Sequence, residues 1–336
     1  MGTSFRYLNI VGATGNVGRE VIQLLNDSFG DLSRFFQSVQ LLASHRSVGL
    51  PLVVWNEPRT VRSLEEFEFG SSDWSLFTTD EVVSSKFVPQ SLNQGGYTID
   101  SSSFFRLKPD VPLVVGPVNS HLINSSIHLY ATANCLASPL SVVLNPLHRE
   151  CKVQSIGIVT LQSVSGAGQK SLEELQQETH HLCLNQPFER QFFDRPIGFN
   201  LIPQVGGIQP DGWTTEEQKI RLEVQKILNL SVPVTVTATR VPVKVGHSMA
   251  VWIDLEREWD VETIQTILKR APGIQLSPNN YMTPSEIVGS HDVWVGRLRK
   301  DLDYPNRIHL WLCSDNLRRG AALDALEILC GFVQII

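Results

Sequence analysis

The chain has 336 residues, of which 42% are hydrophobic and 18% charged, and its formal net charge is −6. A globular composition of this length predicts two domains, each with a core of its own. The weak negative charge and the lack of a basic tract exclude nucleic acid and anionic membranes as expected partners. No apolar run approaches the roughly 20 residues of a membrane span, and the N-terminus has no signal core, so we expect a cytoplasmic protein.

The cysteines number five, are widely spaced and form no CxxC pair. An odd number with this spacing argues against a disulfide framework and against a zinc site, so no metal is predicted. A reduced chain with one special thiol fits the pattern better.

Short strands alternate with helices over the first ~130 residues, as in parallel βαβ units. A β-rich run at residues 7–11 leads into a glycine turn, and residues 19–26 follow with the apolar spacing of a helix. Further strands are predicted at residues 39–43, 74–77, 97–100 and 113–115.

The second half has longer strands of alternating or β-branched residues, which predict an α+β domain with a mostly antiparallel sheet. The strands are expected at residues 155–161, 234–241, 249–255 and 308–313, and the helices at 172–184, 216–228, 261–270 and 321–332. No Pro/Gly/Ser linker marks the boundary, which we place near Asn134 because the chemistry changes there.

Three glycines, Gly12, Gly15 and Gly18, lie between the first strand and the first helix. In that context they predict a tight turn whose backbone N–H groups bind the pyrophosphate of a dinucleotide. The residues expected to bind the cofactor here are Gly12, Thr14, Gly15, Asn16, Val17 and Gly18.

The end of the second strand indicates which dinucleotide is bound. An NAD site has an Asp or Glu there to hold the ribose 2′-hydroxyl, but residues 43–47 contain no carboxylate. Ser44, Arg46 and Ser47 suit a 2′-phosphate instead, so NADP(H) is the predicted cofactor.

Cys135 precedes an apolar helical run at residues 140–147, and the helix dipole there favours the nucleophilic thiolate. Pro139 lies four residues later and predicts a late start for that helix. Arg240 and His247 flank the junction of two predicted strands, and a histidine there can serve as acid and base in turn.

These motifs together resemble the aspartate-semialdehyde dehydrogenase family, in family order over nearly the whole chain. The matching stretches are residues 12–18, 42–49, 99–106, 110–115, 134–135, 162–168, 216–228, 240–248, 293–299 and 314–322.

The resemblance implies roles for particular residues. Cys135 is similar to the acyl-forming nucleophile, Gln162 to the residue that orients the reacting carbonyl, and His247 to the general acid/base. Asn316 resembles a contact to the nicotinamide end of the cofactor. The residues that resemble the substrate-binding and phosphate-handling set are Arg106, Asn134, Glu216, Lys219 and Arg240.

The resemblance also implies an architecture and a reaction. The expected fold is α/β, with an N-terminal Rossmann-type parallel sheet in residues 1–134 that binds NADP and a second α+β catalytic and dimerisation domain in residues 135–314. A C-terminal helix in 315–336 is expected to pack back on the first domain. The implied homodimer reduces β-aspartyl phosphate to aspartate β-semialdehyde and phosphate through a cysteine thioester, in lysine, diaminopimelate, methionine and threonine biosynthesis.

Residues 78–81 depart from the glycine-rich stretch usual in the family, since the segment contains Asp80 and Glu81. These carboxylates would repel a phosphate-rich cofactor if they faced it. Two alternatives stay open. One is N-acetyl-γ-glutamyl-phosphate reductase, which shares the thioester chemistry. The other is a degenerate nucleotide-binding protein without catalysis.

Overall fold

The computed structural model describes residues 5–277 and 279–335. It divides into two compact units. The first unit contains the chain up to Asn134 together with the segment from Gly320 onward, and the second unit is Cys135–Arg319.

The first unit is built on a seven-stranded sheet in the order β5-β2-β1-β6-β7-β9-β8, in which all neighbours are parallel. Strands β3 and β4 form a separate hairpin. The elements are β1 (Phe5–Val11), α1 (Asn16–Asp27), β2 (Phe36–Ala43), β3 (Pro51–Val54), β4 (Glu57–Thr60), β5 (Arg62–Ser63), β6 (Trp74–Phe77), α2 (Glu81–Asn93), β7 (Tyr97–Asp100), β8 (Leu113–Val114), α3 (Gly116–Asn119) and β9 (Leu129–Thr132).

The second unit contains a six-stranded mixed sheet in the order β11-β10-β12-β15-β14-β13. Its outer pairs are parallel and its inner pairs antiparallel. The elements are α4 (Ala137–Cys151), β10 (Val153–Gln162), α5 (Gln169–Cys183), α6 (Thr215–Leu228), β11 (Val234–Arg240), β12 (His247–Leu255), α7 (Val261–Arg270), β13 (Ile274–Leu276), β14 (Val293–Lys300) and β15 (Arg307–Ser314). The predicted α/β class is confirmed, with a parallel sheet in one unit and an α+β arrangement in the other.

The chain ends in α8 (Leu323–Ile335), which packs into the core of the first unit. The ring of Phe332 meets that of Trp74 edge-on, with 4.7 Å between their centroids. Burial of this apolar helix against the parallel sheet is the main reason it folds there. Within the described residues, no helix is both long and apolar enough to cross a bilayer.

Helix α2 was not predicted, and its sequence explains why. It carries Pro89 in its interior and serines at Ser84 and Ser91, a composition typical of a loop. The helix forms because Asp80 caps its first turn and because Phe87 is buried on its inner face. The buried Ser91 hydroxyl donates to Ser75 of β6 and accepts from Thr98 of β7, which offsets the poor helix propensity of serine.

Candidate active site

The glycine turn of the first unit is tight because its glycines leave no room for side chains. Gly12 has a φ of +86°, and a Cβ on Gly18 would lie 2.2 Å from the carbonyl oxygen of Gly12. The backbone N–H groups of Gly12 and Ala13 both donate to the carbonyl of Leu42, at 2.8 and 3.1 Å, which ties the turn to β2. The turn therefore fixes the position of the N-terminus of α1 relative to the parallel sheet.

The groups around this turn fit a dinucleotide phosphate. The Nδ2 of Asn16 is buried at the start of α1 and has no hydrogen-bond partner among the described residues. The Thr14 and Ser47 hydroxyls are 3.2 Å apart, so the turn meets the loop after β2, where Ser44 and Arg46 are exposed. The predicted cofactor residues of this unit thus lie in the turn, the first turn of α1 and that loop: Gly12, Thr14, Gly15, Asn16, Val17, Gly18, Ser44, Arg46 and Ser47.

The unusual segment Thr78–Glu81 lies against the glycine turn, and each of its carboxylates has a partner. Asp80 accepts a hydrogen bond from the backbone of Val83 at 2.9 Å, and Glu81 accepts one from Ser103 at 2.7 Å. Both stand at the N-terminus of α2, where the helix dipole favours negative charge. Because these hydrogen bonds and the helix dipole offset the two negative charges, we expect Asp80 and Glu81 to repel a cofactor phosphate less strongly.

Arg106 and Asn134 also belong to the first unit, and both are buried. One Arg106 nitrogen donates to the carbonyl of Ser101 at 2.7 Å. Burial raises the pKa of Asp100 nearby, although hydrogen bonds with Ser102 and the charge of Arg106 oppose the rise. The guanidinium is thus held in place by its own unit.

In the second unit, three predicted residues meet at one end of the sheet. Gln162 ends β10 and Arg240 ends β11, and the two are direct neighbours in the parallel register. On the other side of β10, Leu161 pairs with Ser248, so His247 at the start of β12 lies at the same end. The strand order β11-β10-β12 therefore assembles the amide, the guanidinium and the imidazole.

Cys135 lies just before α4, whose N-cap is Leu136 and whose first residue is Ala137. The late helix start predicted from Pro139 was wrong. That proline occupies the first turn, where its missing N–H has no intrahelical partner to lose. The thiol therefore stands beside the positive end of a fifteen-residue helix.

Arg240 is within electrostatic reach of two other predicted residues. Burial lowers the pKa of its guanidinium, while the charges of Glu216 and Cys135 both raise it. A guanidinium in such reach attracts a thiolate at Cys135 and favours that ionised form.

The other cysteines lack this environment. Burial raises the pKa of three thiols to about 11, those of Cys151, Cys313 and Cys330. Cys183 is exposed at the end of α5, and no disulfide involves any of the five. Only Cys135 combines partial exposure with a helix N-terminus and a nearby guanidinium.

His247 is fully buried, and only one of its two ring nitrogens has a hydrogen-bond partner among the described residues. Its Nδ1 lies 3.0 Å from the backbone nitrogen of Ser163, which donates to it, and 2.9 Å from the Ser163 hydroxyl. Its Nε2 has no partner among the described residues. A Cβ on Gly166 would lie 3.1 Å from this Nε2 and 3.5 Å from a nitrogen of Arg240, so a side chain at this position would crowd both groups. Burial and the Arg240 charge lower the pKa of His247 to about 3.

Asn316 joins this group through a buried hydrogen-bond network that the sequence did not reveal. Its Oδ1 accepts from the Gly246 backbone at 2.9 Å and from the hydroxyls of Ser163 and Ser165 at 3.1 Å each. The stretch 162–168 matched the family, but nothing in the sequence indicated that its serines support the histidine. A contact of Asn316 to the nicotinamide stays a prediction.

The remaining predicted residues lie on β10 and α6. Gln162 is buried, and its amide nitrogen bonds the Thr160 hydroxyl at 3.3 Å. Glu216 and Lys219 are half-buried in the first turns of α6. The helix is fixed by Glu217 between them, which closes a capping box and accepts from the Ala238 backbone at 2.9 Å.

Arg240 also lines a cavity of about 460 Å³, whose other walls come mainly from one loop. Those walls are Ala167, Phe192, Phe193, Asp194, Arg195, Ile202, Gln204, Val205 and Gly206. The residues that hold this loop could not be recognised from the sequence. Glu174 accepts three of its backbone N–H groups at 2.6–2.8 Å, and Glu178 accepts two more, both at 2.7 Å.

The chain matches two family models and is similar to several known proteins. The family model "Semialdehyde dehydrogenase, NAD binding domain" matches residues 8–126, and "Semialdehyde dehydrogenase, dimerisation domain" matches residues 144–319. The aspartate-semialdehyde dehydrogenase of Rickettsia bellii is 38% identical over 95% of each chain, and that of Bacillus subtilis 34% over 96%. The crystal structure of aspartate semialdehyde dehydrogenase II from Vibrio cholerae, complexed with ASA, is 33% identical, has a TM-score of 0.93 and covers 99% of each chain.

Proposed function

Because the chain belongs to the semialdehyde dehydrogenase family, we propose that it is an NADP(H)-dependent aspartate-semialdehyde dehydrogenase. The reaction is the reductive dephosphorylation of β-aspartyl phosphate to aspartate β-semialdehyde. The observation that carries the proposal is the grouping of Gln162, Arg240 and His247 at one sheet end, with Cys135 in electrostatic reach of Arg240.

Acylation is the first chemical step. The Cys135 thiolate attacks the acyl carbon, a C–S bond forms, and the C–O bond to phosphate breaks. Arg240 binds the substrate α-carboxylate through its planar fork, and Glu216 faces the α-amino group. The departing phosphate is assigned to Lys219 together with Arg106 and Asn134.

Reduction is the second step. A reduced nicotinamide, when bound, supplies the hydride that reduces the thioester carbon. Gln162 orients the carbonyl, and His247, whose Nε2 has no hydrogen-bond partner among the described residues, acts as the general acid/base at the reacting oxygen. Collapse of the reduced adduct breaks the C–S bond and returns Cys135 as a thiolate.

The two units divide this work. We assign the cofactor to the first unit, with NADP(H) favoured over NAD(H) because Ser44, Arg46 and Ser47 take the place of a carboxylate. Catalysis and homodimer formation are assigned to the second unit, in keeping with the dimerisation model that matches it. A catalytic thiolate suits a reducing compartment, which supports the cytoplasm.

N-acetyl-γ-glutamyl-phosphate reductase is not favoured. Glu216 is in electrostatic reach of Arg240 and so suits a substrate that carries both a carboxylate and a charged amino group. Acetylation removes the amino charge and would leave Glu216 without a counter-charge.

The test is NADP⁺ reduction by the purified protein with phosphate and either aspartate β-semialdehyde or N-acetylglutamate semialdehyde. We expect turnover with the first and at least about a hundredfold lower kcat/KM with the second. Preference for the acetylated substrate would overturn the assignment. No NADPH binding in a direct titration would instead indicate a degenerate nucleotide-binding protein.

A further inference from the structure

We propose that Glu217 is a positioning residue for substrate recognition, because it docks the start of α6 on the edge strand that ends in Arg240. The proposal rests on the proposed function, which assigns Glu216 and Lys219 at the start of α6, together with Arg240, to the substrate. The carboxylate of Glu217 binds backbone N–H groups rather than the substrate, so it acts through these neighbours.

Strand β11 is the edge strand of the second sheet and has a neighbour, β10, on one side only. The N–H groups of successive residues in a strand point alternately to its two sides. Val241, just after β11, donates its N–H to the carbonyl of Gln162 on β10 at 3.0 Å. The N–H groups of Arg240 and Ala238 therefore point to the open edge, where a buried donor needs an acceptor from another element.

Two different elements supply acceptors along this edge. The Oε1 of Glu217 on α6 accepts the Ala238 N–H at 2.9 Å, and the carbonyl of Ile202 accepts the Arg240 N–H at 2.8 Å. Ile202 belongs to the loop that lines the cavity beside Arg240. The strand is thus held from outside at Arg240 itself and, by α6, two residues earlier.

The same carboxylate determines where α6 begins. Its Oε2 accepts the backbone N–H of Thr214 at 2.7 Å, and the Thr214 hydroxyl accepts the N–H of Glu217 at 3.2 Å. This capping box fixes the first turn, and Glu216 and Lys219 lie within or just after it. One buried carboxylate therefore joins the start of the helix to the strand that ends in Arg240.

This docking bears on recognition because the substrate groups assigned to the helix and to the strand sit on one carbon atom. In the proposed complex Arg240 binds the α-carboxylate and Glu216 faces the α-amino group, so the spacing of the two side chains must match the substrate. They are already within electrostatic reach of each other. A shift of α6 along β11 by about 1 Å would change that spacing and can cost on the order of a hundredfold in rate.

Glu217→Gln is the variant that tests the docking. Glutamine has one acceptor oxygen where glutamate has two, so it cannot hold the N–H groups of Thr214 and Ala238 together. We expect the KM for aspartate β-semialdehyde to rise about tenfold and the KM for NADP⁺ to change less than about twofold in steady-state kinetics. Glu262→Gln, at an exposed first-turn glutamate of α7, is the matched control. An unchanged KM for the semialdehyde in Glu217→Gln would overturn the proposal.

Selectivity distinguishes positioning from a general loss of stability. Succinate semialdehyde lacks the α-amino group, so Glu216 has no charged partner on it. The preference in kcat/KM for aspartate β-semialdehyde over succinate semialdehyde should therefore fall at least about fivefold in Glu217→Gln. Thr214→Ala weakens the helix cap but leaves both contacts of the carboxylate, so it should lower the melting temperature by about 2–4 °C and keep the preference. A preference that Glu217→Gln also keeps would limit Glu217 to stability and overturn the proposal.

Hydrogen exchange measures the docking without turnover. In Glu217→Gln the Ala238 amide should exchange at least about threefold faster than in the wild-type protein, by mass spectrometry of peptides from β11. Exchange at the wild-type rate would overturn the docking. A wild-type protein without turnover of aspartate β-semialdehyde would instead refute the dehydrogenase assignment, and the exchange of Ala238 would still show whether Glu217 holds β11.

Discussion

The two units build their sites in opposite ways. In the first unit the predicted phosphate-binding turn is a single short stretch of backbone, and its glycines are needed because a Cβ on Gly18 would lie 2.2 Å from the carbonyl oxygen of Gly12. In the second unit the proposed reacting groups are side chains from separate elements, brought together by strand order. A turn made of backbone can be recognised from local sequence, whereas a constellation of side chains depends on packing that local sequence does not display.

The largest expected effect is the loss of kcat/KM when Arg240, one of the side chains grouped at the sheet end of the second unit, is replaced. Arg240→Lys keeps the charge but loses the planar fork, so we expect kcat/KM for aspartate β-semialdehyde to fall by about 10²–10³. Steady-state kinetics measures it. Arg299→Lys, on an exposed part of β14, is the matched control and should change little. A wild-type value in Arg240→Lys would remove the guanidinium from substrate binding.

Adding a methyl group to the glycine turn of the first unit tests whether that turn binds the cofactor. Gly18→Ala places a Cβ 2.2 Å from a carbonyl oxygen, so the turn must shift and NADPH should bind about 10–100-fold more weakly. Fluorescence titration with NADPH reports this affinity. Gly207→Ala, which has open space around it, is the control. Unchanged NADPH affinity in Gly18→Ala would show that the turn is not the phosphate site.

The loop beside Arg240 should give a smaller effect. Glu174 is buried and accepts three backbone N–H groups, and a glutamine there turns one acceptor into a donor that faces an N–H. Glu174→Gln should therefore raise KM for the semialdehyde about three- to tenfold with kcat changed less than about twofold. Glu173→Gln, exposed on the same helix, is the control. A fall in melting temperature without a KM change would limit Glu174 to stability.

The smallest effect is expected at Glu81, where the family pattern is broken. Because its carboxylate accepts from Ser103 at the N-terminus of α2, Glu81→Gln should change NADPH affinity by less than about twofold. The same titration measures it. Binding tighter by tenfold or more would mean that the carboxylate repels the cofactor after all.

Regular elements were predictable where periodicity or β-branching was strong. Trp74–Phe77, Tyr97–Asp100 and Val261–Arg270 have the predicted bounds. Helix α2 was missed because its stability comes from a cap and from buried serine hydrogen bonds rather than from an amphipathic pattern. The start of α4 was misplaced because a proline in a first turn permits a helix as readily as it delays one.

The site was predictable only in part. Cys135 and His247 were candidates because of their residue types and positions, and the family resemblance implied their roles. Ser163 and Glu174 were not singled out because their roles depend on which backbone or ring atoms the fold brings to them. Supporting residues of this kind carry no local signal, and register and packing alone reveal them.

The most direct test of the thioester mechanism is mass spectrometry of the protein incubated with aspartate β-semialdehyde and NADP⁺ without phosphate, followed by peptide mapping. Without phosphate to accept the acyl group, the thioester should accumulate. We expect an aspartyl adduct on the peptide that contains Cys135 and none in Cys135→Ala. An adduct on another residue, or turnover in Cys135→Ala, would contradict the mechanism.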